Sequence, residues 1–126
     1  MQKRFAKAAR DIKPLACGYG ACFATDRIIV DGMRVRFMYR GKPDNSIDSG
    51  WRFMAGDETD DYMDNVVNIG IYDVNTIANY DPDIIPHLDA PEGSAFERTD
   101  ANDHFVKVVD YRIPECRVSG ARFTPA

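Results

Sequence analysis

A chain of 126 residues with 44% hydrophobic and 29% charged residues has neither a disordered nor a membrane composition. Its length favours one domain, able to bury about two-thirds of its unfolded-chain surface without a metal or disulfide staple. No apolar run approaches the ~20 residues of a membrane helix, and the basic start, Met1 to Arg10, lacks the apolar stretch of a secretory signal.

The net charge of −4 conceals an asymmetry. Residues 1–42 carry ten Lys/Arg and three Asp/Glu, whereas residues 43–126 carry six and seventeen. Acid is densest from Pro43 to Glu97, where Arg52 is the single basic residue against thirteen acids. Helix caps and solvated faces account for many of these, and the excess builds a field that would attract a basic partner. Cys17, Cys22 and Cys116 are odd in number and irregular in spacing, which points to reduced thiols and a cytoplasmic location.

Along the chain, Phe5, Ala8, Ala9 and Ile12 fall at helical spacing and predict an amphipathic first helix. Tyr19 to Thr25 reads as a strand. Arg27 to Val30 and Met33 to Tyr39 read as a hairpin turning at Asp31-Gly32, a dipeptide that tolerates positive φ. In its second strand Val35, Phe37 and Tyr39 are expected on one face, and Arg34, Arg36 and Arg40 on the other. Gly41 to Ser49 is a polar loop broken by Pro43 and Asn45. Trp51, Phe53 and Ala55 then alternate with Arg52 and Met54 as a strand that ends at Gly56. Asp57 to Asp64 reads as a short helix with acids in its first turn, where the helix dipole favours them.

Asn68 to Tyr72 is expected to be a strand. Asp73 caps a helix carrying Val74, Ile77 and Ala78, and Asp81-Pro82 repeats the device. Pro86 and Pro91 stop regular structure. Ser94 to Arg98 and Phe105 to Val109 are late strands, and the chain beyond Tyr111 reads as a loose tail. Strands outnumber helices and lie in adjacent runs. The predicted class is α+β, a single domain over residues 1–126 with a mostly antiparallel sheet and a few short helices on one side.

Chemistry-bearing patterns are absent. His87 and His104 have no partner at metal-ligand spacing, and Cys17 and Cys22 are too far apart for a CxxC pair. Gly18-Tyr19-Gly20 lacks the third glycine and the lysine of a phosphate loop, so close strand packing is the simpler account. Asp57-Glu58-Thr59-Asp60-Asp61 lacks the glycine and closing glutamate of a calcium loop. Arg34, Arg36 and Arg40 near Tyr39 form a modest patch on a chain of pI near 5.1, too little for a nucleic-acid binder. No cofactor, metal, catalytic residue, membrane or nucleic-acid partner is expected.

Five segments occur in a telling order: Phe37-Met38-Tyr39-Arg40, Asp48-Ser49-Gly50-Trp51-Arg52-Phe53, Gly56-Asp57-Glu58, Asn68-Ile69-Gly70-Ile71-Tyr72 and Ser94-Ala95-Phe96-Glu97-Arg98. The stretch from Val35 to Arg98 that carries them resembles a bacterial family first catalogued as a domain of unknown function. That family was later assigned to the immunity proteins of polymorphic toxin systems as immunity family thirty-three. Met54-Ala55 departs mildly from the family pattern, which commonly has an aromatic or Leu followed by Ser. The resemblance implies an α+β fold built around Trp51, with Asp48, Ser49, Gly50, Trp51, Arg52 and Gly56 as structural motif residues. It also implies an antitoxin role: direct, non-enzymatic binding of a cognate protein toxin encoded nearby.

Together with the charge asymmetry, it nominates Asp57, Glu58, Asp60, Asp61 and Asp64 as candidates for binding a basic toxin. Two alternatives stand beside it. One is a small-molecule-binding or regulatory domain with a pocket near Trp51 and Arg52; the other is an enzyme using dispersed acids and histidines. The oligomeric state is left open.

Overall fold

The alternation Trp51, Arg52, Phe53, Met54 demands a strand with one dry and one wet face. That strand is central to the computed structural model, which describes residues 3–99, 102–109 and 111. Strand β3 (Asp48–Met54) buries Trp51 and Phe53 and turns Arg52 to the opposite face. Around it β1 (Ala21–Thr25), β2 (Phe37–Arg40), β4 (Ile69–Asp73), β5 (Ala95–Thr99) and β6 (Asn102–Lys107) complete one sheet in the order β4-β1-β3-β2-β5-β6. The α+β class and the short helices agree with the sequence expectation. The sheet is mostly antiparallel, as expected, with one exception: β1 and β3 run parallel while every other pair is antiparallel. β3 pairs back on β2 and slots between β2 and β1, which restores the direction of β1. Gly20 permits the close approach at this junction. Its φ is +100°, and a Cβ there would sit 2.5 Å from Ile47 O, the carbonyl that accepts the Ala21 N–H at 2.7 Å.

The expected hairpin through Asp31-Gly32 does not form. Asp26–Ile29 make a short helix, α1, that buries Ile28 and Ile29. Gly32, at φ +76°, closes it by giving its N–H to Ile28 O at 3.0 Å. An acid at the start and a glycine just past the end are helix signals, and here they outweigh the β-branched run. The amphipathic first helix is also absent: Ala9–Asp11 form only a 3-10 turn. Lys13 and Leu15 instead give their N–H groups to the Asn79 and Asn75 side chains, so that backbone is satisfied without a helical ladder.

Val35, Phe37 and Tyr39 do not share a face. β2 starts at Phe37, and its buried residue is Met38. Phe37 and Tyr39 lie on the opposite face, against the Tyr111 ring at 5.1 and 5.5 Å. Val35 is buried ahead of the strand, its N–H held by Asp81 Oδ2 at 3.0 Å. Arg40 follows Met38 to the core face rather than joining Arg34 and Arg36. Its Nε and Nη1 donate to Ser49 O and Ala90 O, and its guanidinium lies 5.7 Å from the Trp51 ring centroid.

The remaining helices follow their caps. Asp73 accepts the Asn75 N–H at 2.8 Å and starts α3 (Val74–Tyr80), which buries Val74, Ile77 and Ala78. Asp81 accepts the Asp83 N–H, and Pro82 opens a 3-10 segment over Pro82–His87. Pro86 sits inside that segment instead of stopping it. With α1 these elements cover one face of the sheet, where Ile28, Met38, Trp51, Phe53, Ile77, Ile84 and Leu88 pack together. The tail beyond Tyr111 lies outside the described residues.

Candidate partner-binding site

The acidic stretch begins where Gly56, at φ +94°, turns the chain out of β3. Helix α2 (Asp60–Asp64) follows, capped by Thr59, whose Oγ1 accepts the Tyr62 N–H at 3.1 Å. The five nominated acids then divide into two groups. Glu58 turns inward: its carboxylate accepts from Thr25 Oγ1 at 2.5 Å, Ala55 N–H at 2.8 Å and Gly56 N–H at 2.9 Å. It clasps the turn after β3 to the end of β1. Asp57 pairs with Arg27, whose Nε donates to Oδ1 at 3.1 Å, and this guanidinium holds the Asp57 carboxyl below the usual carboxylate range. Asp60, Asp61 and Asp64 are exposed on α2, a helix with no buried residue. These three acids face solvent.

The motif residues Asp48 to Arg52 form a frame. Burial pushes the Asp48 carboxyl up, but two Arg52 N–H groups and the Asp44 and Gly50 N–H groups outweigh it, so its pKa falls below the usual value. Ser49 Oγ donates to Ala21 O at 2.6 Å and accepts the Trp51 N–H at 3.1 Å, tying β3 to β1. Gly50, at φ +90°, leaves no room for a Cβ against Gly41 O. Trp51 Nε1 donates to Leu88 O at 3.1 Å, and Arg52 lies over Phe23 at 4.4 Å.

Two features escaped the sequence reading. The first is Arg98, almost wholly buried on β5. It donates to Val35 O at 2.9 Å, to Asp83 at 2.8 Å and to the buried Asp81. The sequence signal was there, since Arg98 closes a family segment, but its partners lie 63, 15 and 17 residues away. The second is a groove of about 680 Å³ between β2, β3, β5 and α2. Met33, Phe37, Met54 and Met63 give it an apolar floor, and Asp57, Glu58 and Glu97 stand among its lining residues. Neither Trp51 nor Arg52 lines this groove.

The basic patch is dispersed, with Arg34 near Asp83 at 3.4 Å and Arg40 turned inward. His87 packs between Phe96 and Phe105, at centroid distances of 4.6 and 5.4 Å. Among the described residues no group of three His, Cys, Asp or Glu is arranged to hold a metal, and no helix is long and apolar enough to cross a membrane.

Comparison with curated proteins and with solved structures finds no match. Comparison with family models matches residues 22–109 to the immunity protein Imm33 domain, a span that runs from β1 past β6 and includes the Trp51 frame, α2 and Arg98. With more than half of its length matched, this chain belongs to the Imm33 family of immunity-protein domains.

Proposed function

We propose that this chain neutralises a cognate protein toxin by binding it directly, with the exposed acids of α2 facing a basic surface of the toxin. Family membership carries the reading. The division of the acids supports it: Asp60, Asp61 and Asp64 are exposed on a helix with no buried residue. Exposed charge of this kind accelerates encounter and sets orientation more than it raises affinity. A cytoplasmic location accompanies the reading and suits Cys17 and Cys22, both free thiols.

The test is capture of the purified product of the neighbouring gene by the tagged, purified chain. A stoichiometric complex supports the proposal, and no complex at micromolar concentrations overturns it. The methionine-floored groove favours a second reading, a small-molecule-binding or regulatory domain. Under that reading, Met54→Lys would abolish thermal stabilisation by the ligand and leave toxin capture intact.

A further inference from the structure

Strand β4 is an edge of the sheet, and its pairing with β1 is regular over five residues, from Ala21 opposite Asp73 to Thr25 opposite Ile69. The direction of each backbone group follows from β1. Ala21 sends its N–H to Ile47 O and takes the Ser49 hydroxyl on its carbonyl, so it faces β3. Gly20 takes the Val74 N–H on its carbonyl, so it faces the β4 side. Alternation then turns Cys22 and Ala24 toward Tyr72 and Gly70. Ile69, Ile71 and Asp73 therefore point their backbone groups away from the sheet. Ile69 N–H is used by the preceding 3-10 turn, Val66–Asn68, where it bonds Val66 O. Among the described residues this leaves Ile69 C=O, Ile71 N–H and C=O, and Asp73 N–H along an unpaired edge, at the spacing another strand needs.

The side chains beside this edge are unusual for an exposed edge strand. Val66, Val67 and Ile71 are 47%, 61% and 52% exposed. Edges are normally blunted by lysine, proline or a bulge, and none of these occurs between Asp60 and Asp73. Along the same run stand the exposed acids Asp60, Asp61, Asp64 and Asp73. Apolar residues next to an open ladder match a strand with apolar side chains, and the acids match one that also carries lysine or arginine.

We infer that β4 is a strand-addition site, where an extended segment alternating basic and apolar residues joins the sheet as a further strand. The inference rests on the toxin-binding reading for its biological partner: the segment would belong to the toxin, steered to the edge by the acids of α2. Backbone pairing supplies affinity, and alternate side chains over Ile71 and beside Asp73 supply selection.

The probe is a synthetic peptide of about six residues, a usual strand length, alternating lysine and valine. Wild-type chain should bind it, and the Ile71 amide should exchange more slowly with solvent in the complex. Ile71→Pro removes the outward N–H without touching the pairing with β1, and should weaken binding about tenfold or more, the scale of one unsatisfied backbone group. Ile71→Ala keeps the N–H and should retain the slowed exchange, so a poorly folding proline variant does not remove the test. Failure of the peptide to bind, or binding that leaves Ile71 exchange unchanged, overturns the inference. Captured toxin that is indifferent to Ile71→Pro also overturns it while leaving the immunity reading intact. Peptide bound at β4 with no toxin captured overturns the immunity reading alone.

Discussion

Replacing Arg98 by methionine should expose how much of the fold depends on one buried cation. The Arg98 side chain is 2% exposed and the Asp81 side chain 4%. Methionine keeps the bulk against Phe105, whose ring centroid lies 4.4 Å from the guanidinium, but leaves Asp81 with a buried, uncompensated charge and Val35 O without its donor. Asp83 adds little to the cost because its side chain is 60% exposed. Breaking such a pair typically costs about 3–5 kcal/mol. Urea unfolding read by fluorescence of Trp51, the chain's single tryptophan, measures the loss.

The acid titration then separates charge from packing. Burial raises the Asp81 pKa even against the opposing pull of Arg98, and removing Arg98 raises it further. A carboxyl whose folded pKa exceeds its unfolded value binds more protons when folded, so the penalty of the variant should shrink as pH falls through that folded pKa. A loss under about 1 kcal/mol, the scale of an exposed pair, or a loss that does not shrink on acidification, would refute this account of the cluster.

Two further outcomes follow from the core. Trp51→Ala should cost about 3–5 kcal/mol, because Trp51 is fully buried, stacks on Phe53 at 6.0 Å and satisfies Leu88 O; an unchanged melting temperature would contradict its structural role. His87 has its pKa lowered by burial and then by Arg98. The unfolded chain therefore binds more protons there, and stability present above about pH 6.5 should be lost as pH falls through the folded pKa. His87→Phe, measured by thermal melts across that range, should remove this part of the loss.

What could be read in advance was local. The alternation around Trp51 and the aspartates before α3 and before Pro82 act within a few residues, and all three behaved as their sequence signals required. Helix α1 was misread because four residues are too few to display a helical period, and Ile28 and Ile29 also suit a strand. The parallel pairing of β1 with β3 is set by where the β2–β3 pair docks, and no single segment encodes that. The same divide runs through the site. The acidic run was visible, but Glu58 is withdrawn from it by Thr25, 33 residues away, and Asp57 by Arg27, 30 residues away. Arg40 looked like a surface cation because Val35, Phe37 and Tyr39 suggested the wrong face; the buried position is Met38.

The central claim is that the exposed acids of α2 steer a toxin onto this chain. Its most direct test is the association rate of the neighbouring gene's toxin domain with the wild-type chain and with a triple variant, Asp60→Asn, Asp61→Asn and Asp64→Asn, in low and high salt. The three side chains are exposed and sit on a helix with no buried residue, so the melting temperature should hardly move. Association should be slower in the variant. Salt should slow the wild type more than the variant, because the screening length falls from about 10 Å at 0.1 M to about 3 Å at 1 M. Dissociation should change little. An association rate that ignores both salt and the three substitutions would contradict the claim and leave the α2 acids as a solvated face.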